Sequence, residues 1–160
     1  MAINIYFGAP LFSESELMYN KHVVDTMRLI FKDKVNIYLP QENMSINNKE
    51  NFASSTMIAD GDNAYLEDAD ILIAVLDGQT TDVGLSAEIG YFYSMKKPII
   101  AIYSDSRQGN VTDKKVEALK EIAESQWSYI NLYLVGMIKQ SGKIVRGYKE
   151  LIEELSNVIY

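Results

Sequence analysis

Two spacings of apolar residues alternate along the chain. Ile3 to Phe7, closed by Gly8-Ala9-Pro10, and Val35 to Leu39, closed by Pro40, are short apolar runs with the punctuation of strands entering loops. Between them Tyr19, Val23, Met27 and Ile30 recur at helical spacing and predict a helix over 16–31 with that stripe facing inward, His22 lying off it as a surface residue. Gln41 to Phe52 has no apolar period and holds four asparagines, so it reads as a long loop of the kind that serves as a lid or binding loop. A helix capped by Ser54 or Ser55 then runs to about Ala69. Asp70 to Leu76 is apolar without alternation, the pattern of a strand buried on both faces at the centre of a sheet. Asp82 is placed to cap a helix over 83–95, Pro98 to Tyr103 forms a fourth strand, and 104–111 is a loop with Arg107 its only cation. A helix over 113–125 follows, then Trp127 and a fifth strand or extended edge in Tyr129 to Leu134. Ser141-Gly142-Lys143 turns the chain into a last helix from Val145 or Gly147 to Val158, with Leu151, Leu155 and Val158 inward.

Strands alternating with amphipathic helices imply right-handed βαβ units. The expected fold is therefore α/β, a single-domain, doubly wound, flavodoxin-like or Rossmann-like sheet of five parallel strands with helices on both faces. The length of 160 residues suits one domain and is short for two. In such sheets ligands bind beyond the carboxyl ends of the strands, where the strand order reverses.

Against this pattern two acids are out of place. Projected at about 100° per residue, Leu85, Ile89, Phe92 and Met95 gather on one side of the helix over 83–95, and Glu88 falls inside that apolar arc. On the preceding helix Asp60, Asn63, Glu67 and Asp68 point outward, whereas Asp62 falls between Leu66 and Ala69, on the side of Ile58 and Tyr65. A carboxylate facing a core costs free energy or takes up a proton, so two successive helices turning one inward point to chemistry at the rim of the sheet. The alternative is structural: Glu88 paired to a buried donor, Asp62 to a neighbouring backbone.

Composition narrows the chemistry. With no cysteine there is no disulfide, thiolate catalysis or cysteine-bound zinc. The net charge of −7 disfavours nucleic acid and anionic membranes as partners, and not one Lys or Arg stands between Lys49 and Lys96. A phosphate held by side-chain cations is thus disfavoured for that half of the chain. The loop Gly8-Ala9-Pro10-Leu11 is no dinucleotide fingerprint, no Gly-rich loop with Lys follows a strand, and no Gly-x-Ser-x-Gly elbow is present. No cofactor and no metal are expected. Paired carboxylates remain, whose best-known use is cleavage of a glycosidic bond. Lacking a signal segment or a long apolar span, the chain reads as cytoplasmic.

Several segments then match a known pattern: Ile5-Tyr6-Phe7-Gly8-Ala9, Glu67-Asp68-Ala69-Asp70, Asp82-Val83-Gly84-Leu85-Ser86-Ala87-Glu88-Ile89-Gly90-Tyr91, Asn131-Leu132 and a terminal tyrosine. Over nearly its whole length the chain resembles the nucleoside 2-deoxyribosyltransferases, the block from Asp82 to Tyr91 being the most specific part. The resemblance implies exchange of 2-deoxyribose between a deoxynucleoside and a free purine or pyrimidine base, with retention at C1′. It makes Glu88 the nucleophile of a covalent deoxyribosyl ester, oriented by Tyr6 and helped by the terminal carboxylate of Tyr160. Asp62 would contact the base and manage its proton, and Asp82 would hold a sugar hydroxyl. Phe12 would wall the base pocket, with Gly8 at the end of the first strand counted among the substrate-binding residues. Asn131 would be lent to the sugar 5′-hydroxyl of a neighbouring subunit, in a dimer-based homo-oligomer of up to six chains. Two positions depart from the family pattern: Tyr133 stands where a methionine is expected after Asn-Leu, and Met44 where some members carry a base-contacting glutamine.

Two other readings stay open. The 2′-deoxynucleoside 5′-phosphate N-hydrolases use a similar glutamate but pass the sugar to water, and Ser86 could serve their phosphate. A catalytically silent nucleotide-sensing or interaction domain could also occupy the same sheet.

Overall fold

The structure, a computed structural model, describes residues 2–44, 54–105 and 130–160. In chain order its elements are β1 (Ile3–Gly8), α1 (Glu14–Phe31), β2 (Val35–Tyr38), α2 (Ser55–Asp68), β3 (Ile71–Val75), α3 (Val83–Ser94), β4 (Ile99–Ile102), α4 (Leu132–Ser141), β5 (Lys143–Val145) and α5 (Tyr148–Ile159). All five strands are parallel, in the order β2-β1-β3-β4-β5. The order reverses between β1 and β3, which makes the carboxyl ends of those two strands the expected ligand rim.

The pleat sends alternate residues to opposite faces, and the core divides accordingly. Ile5, Phe7, Ile71, Ile73 and Val75 pack with α1 and α5 on one face. Tyr6, Leu72 and Ala74 pack with Leu66 of α2, Leu85, Ile89 and Phe92 of α3, and Leu134 and Ile138 of α4 on the other. Every residue of β3 is buried, as the unbroken apolar run predicts for a central parallel strand. Side-chain caps fix several helix starts: Ser13 and Glu16 form a capping box on α1, Ser54 accepts from the Met57 amide on α2, and Asp82 accepts from the Leu85 amide on α3.

Four sequence expectations need correction. α1 begins at Glu14, and its buried stripe is Asn20, Val23, Val24, Met27 and Phe31; Ile30 is exposed. Projected at about 100° per residue, Phe31 falls inside the arc set by Asn20, Val23, Val24 and Met27, while Ile30 falls beyond its edge. On α5, Leu151 and Leu155 are buried but Val158 is exposed, Ile152 and Ile159 packing beside them instead. Leu132 to Leu134 belong to a helix and not to a fifth strand, because Asn131 caps that segment and Leu134 and Ile138, four apart, turn toward α3 and β4. The fifth strand is Lys143–Val145, where a turn was expected. It reaches β4 because Gly142 lets the backbone approach: a Cβ there would lie 1.9 Å from the Ile99 carbonyl oxygen. The expected helix over 113–125, Trp127, most of the loops over 41–52 and 104–111, and Arg107 lie outside the described residues.

Candidate functional site

The carboxyl end of β1 carries Tyr6 and Gly8, and the middle of α3 carries Glu88 against them. Asp82 sets this geometry, since its Oδ1 accepts from the Leu85 amide at 2.8 Å and starts α3 so that Leu85, Ile89 and Phe92 face the sheet. Glu88 sits between Leu85 and Ile89 in sequence and is carried down beside them, half-buried. The Tyr6 hydroxyl donates to Glu88 Oε1 at 2.7 Å. Glu88 Oε2 faces Gly8, where an added Cβ would lie 3.0 Å from that oxygen.

This setting changes both ionisations. Burial, reinforced by the negative charges of Asp62 and Asp82, pushes the Glu88 carboxyl up to about 7, while the Tyr6 hydrogen bond pulls the other way. Burial and then the Glu88 charge push the Tyr6 phenol far above its ordinary range, so it stays a donor.

Asp62 reaches the same place from α2. Its Oδ1 accepts a long hydrogen bond, 3.5 Å, from the Tyr38 hydroxyl, and burial raises its carboxyl while that bond opposes the rise. Tyr38 ends β2 and is the register partner of Tyr6 on β1, their ring centroids 5.2 Å apart. Its other neighbours are Tyr65, stacked at 3.6 Å, and Asn43, whose Nδ2 donates to the Tyr38 oxygen at 3.0 Å. The sequence reading missed Tyr38 and Asn43. The one signal was a tyrosine near the carboxyl end of each of the first two strands.

Asp62, Asp82 and Glu88 together line a cavity of 320 Å³, with Phe12, Ile58 and Pro40 among its apolar walls. That volume falls within the range of roughly 300–1,000 Å³ usual for small-molecule sites. Phe12 is 80% exposed and stands at the mouth, its backbone amide tied to Glu16. Among the described residues the charged groups lining the cavity are all carboxylates, and no cluster of three His, Asp or Glu side chains is arranged to hold a metal ion.

Other residues singled out from the sequence lie elsewhere. Asn131 and Tyr133 line a larger cavity of 800 Å³ on the other flank of α3, with Ser86, Gly90 and Tyr93. None of the three acids lines that cavity, so size does not mark the site here. Asn131 Oδ1 accepts from the Tyr133 amide as the cap of α4, and the Ser86 hydroxyl donates to the Asp82 carbonyl. Tyr160 lies at the opposite end of the sheet, its ring 6.4 Å from Phe31 and under the Lys34 ammonium. Within one chain its carboxylate is therefore remote from Glu88, contrary to the role the resemblance assigns it. Met44 is exposed at the edge of the described residues.

A sequence profile described as nucleoside 2-deoxyribosyltransferase matches residues 5–132, which include Tyr6, Asp62, Asp82 and Glu88. The chain belongs to the nucleoside 2-deoxyribosyltransferase family. Membership supports a glycosyl-transferring or glycosyl-hydrolysing enzyme acting on small molecules. Among solved structures, the chain is similar to a conserved protein of Enterococcus faecalis V583, with 43% identity, 98% of this chain and 99% of that one covered, and a TM-score of 0.86. The 2-deoxyribosyltransferase of Bacillus psychrosaccharolyticus shares the fold at 20% identity, covering 93% and 90% of the two chains with a TM-score of 0.59. The CMP N-glycosidase of Clostridium botulinum shares it at 16% identity, covering 97% and 98% with a TM-score of 0.51. No helix among the described residues is long and apolar enough to cross a membrane.

Proposed function

We propose that this family member transfers 2-deoxyribose from a 2′-deoxynucleoside to a free purine or pyrimidine base, with retention, through an ester on Glu88. The observation that carries the reading is the convergence of Glu88 and Asp62 on one cavity, with the Tyr6 hydroxyl on Glu88 Oε1. A Glu88 carboxylate oxygen attacks C1′ from the face opposite the base; the C1′–N bond breaks and its electron pair leaves with the base. Asp62, protonated, gives its proton to that base. An incoming base attacks C1′, its proton passes to Asp62, and the carboxylate of Glu88 leaves. Two inversions give net retention. Tyr6 keeps one oxygen occupied and its proton throughout, so it orients the nucleophile and tempers its charge.

Asp82 spends one carboxylate oxygen on its own helix, which leaves the other for a sugar hydroxyl. Phe12 serves as the outer wall for the base, and Gly8 as the gap that admits Glu88. Asn131 and Tyr133 stand exposed on the far flank of α3, a position that supports their serving a neighbouring subunit in a dimer-based homo-oligomer. The proposal also takes the chain as one domain, working in the cytoplasm without metal or cofactor.

Three carboxylates lining the cavity favour an uncharged nucleoside over a 5′-phosphate. The deciding experiment mixes a deoxynucleoside with a different free base. A new deoxynucleoside supports transfer; free deoxyribose alone, or turnover only of a 5′-phosphate, would replace it with hydrolysis, the reaction the CMP N-glycosidase of this fold brings to mind.

A further inference from the structure

We propose that Tyr38 is the positioning residue for Asp62: its hydroxyl, oriented by Asn43, holds the carboxyl that exchanges a proton with the base. This rests on the transfer reading above and adds the group that makes its second acid usable. A phenol oxygen can donate once and accept. Asn43 Nδ2 occupies the accepting side at 3.0 Å, which leaves the hydroxyl proton to point at Asp62 Oδ1. The ring cannot swing away, because Tyr65 stacks on it at 3.6 Å with the planes 11° apart and Tyr6 packs at 5.2 Å. At 3.5 Å the contact is at the long limit of a hydrogen bond, and a bound base would draw it shorter, as catalytic hydrogen bonds commonly tighten in the substrate complex.

Every described ionisable neighbour of Asp62 in this site is acidic. Tyr6 faces it from β1, Tyr38 from β2, and Glu88 and Asp82 from α3. Of these, Tyr38 is the one that stabilises the ionised carboxyl against burial, as a cation would elsewhere. Losing the hydroxyl should therefore both misalign Asp62 and make it hold its proton to higher pH.

The test compares two donors, a natural deoxynucleoside and a nitrophenyl 2-deoxyriboside, whose leaving group needs no proton. Dividing the first rate by the second cancels the ionisation of Glu88 and leaves that of Asp62, so the quotient falls as pH rises through the Asp62 titration. In Tyr38→Phe, which keeps the ring contacts, the quotient should drop about tenfold on its low-pH plateau, and its fall should move to higher pH. Asn43→Ala, which frees the hydroxyl without removing it, should act in the same direction and less. A quotient and pH dependence unchanged in Tyr38→Phe, with Asp62→Asn still losing exchange, would overturn the role of Tyr38 and leave the transfer reading intact. Asp62→Asn retaining full exchange with the natural donor would overturn the proton role of Asp62 and with it that of Tyr38, transfer itself standing; only the absence of exchange in the parent protein would overturn the transfer reading.

Discussion

Gly8 and Glu88 approach so closely that a side chain added at Gly8 would have to displace its neighbours. A Cβ on Gly8 would lie 3.0 Å from Glu88 Oε2 and 2.7 Å from Leu85 Cδ1. The first contact falls on the proposed attacking group and the second on the packing that carries it, so one methyl group should perturb both activity and stability.

Gly8→Ala is accordingly expected to destabilise the protein by about 1–3 kcal/mol, the usual range for overpacking a core. Exchange activity should fall about tenfold or more, because a displaced nucleophile loses its near-attack geometry. Urea unfolding and the two-base exchange assay check the two parts; a variant as active as the parent would show that Glu88 Oε2 is not held against the strand.

Glu88→Gln should reduce exchange by about 1,000-fold or more, since an amide cannot form the ester. Mass spectrometry of the parent protein after mixing with a deoxynucleoside should reveal a deoxyribosyl adduct on Glu88 that is missing from Glu88→Ala.

The same glutamate predicts a pH dependence of opposite sign for activity and stability. Its carboxyl is raised from 4.5 to about 7 in the folded chain, so the protein favours the protonated form. The stability this group contributes is full below 4.5 and is lost as pH rises through about 7. Attack needs the ionised form, so the rate with a nitrophenyl deoxyriboside should climb with pH and reach half its plateau near 7. Glu88→Gln, which never ionises, should melt higher than the parent at pH 8 and differ less at pH 5. Differential scanning calorimetry at the two values decides it.

Tyr6→Phe keeps the ring that fills the core and removes the donor to Glu88 Oε1. Because that bond holds the Glu88 carboxyl down, its loss should move the rise of the nitrophenyl rate to higher pH. An unmoved profile would mean that Tyr6 only packs.

Asp82 combines two duties that substitution can separate. Asp82→Ala removes the α3 cap and should cost about 1 kcal/mol, whereas Asp82→Ser keeps an acceptor for the Leu85 amide. If Asp82 also holds the sugar, both variants should show a raised KM for the deoxynucleoside while only the alanine variant loses stability.

How far the sequence reaches depends on whether a feature is local. Glu88 and Asp62 were legible because each breaks a helical period written into its own neighbours, and β3 because burial on both faces leaves an unbroken apolar run. Asn131-Leu132-Tyr133-Leu134 misled, because its aromatic and apolar residues suit a strand as well as a helix, and a cap outweighed them. The strand that replaced it has three residues, too few for any period, and exists through the approach of Gly142 to Ile99. Tyr38 was invisible for another reason. Its meaning lies in lateral pairing with Tyr6 and in the reach of Asn43 and Asp62, none of which is adjacent to it in the chain.

That lateral pairing also limits how the gene can vary. Tyr6 and Tyr38 meet because their strands are aligned residue for residue and each ring stands on the same side of the pleat. Inserting or deleting a single codon within Ile3–Tyr6 would turn the phenol through the sheet to the layer of α1 and α5. The exposed loops between elements can lengthen at little cost, but the first strand is fixed in length.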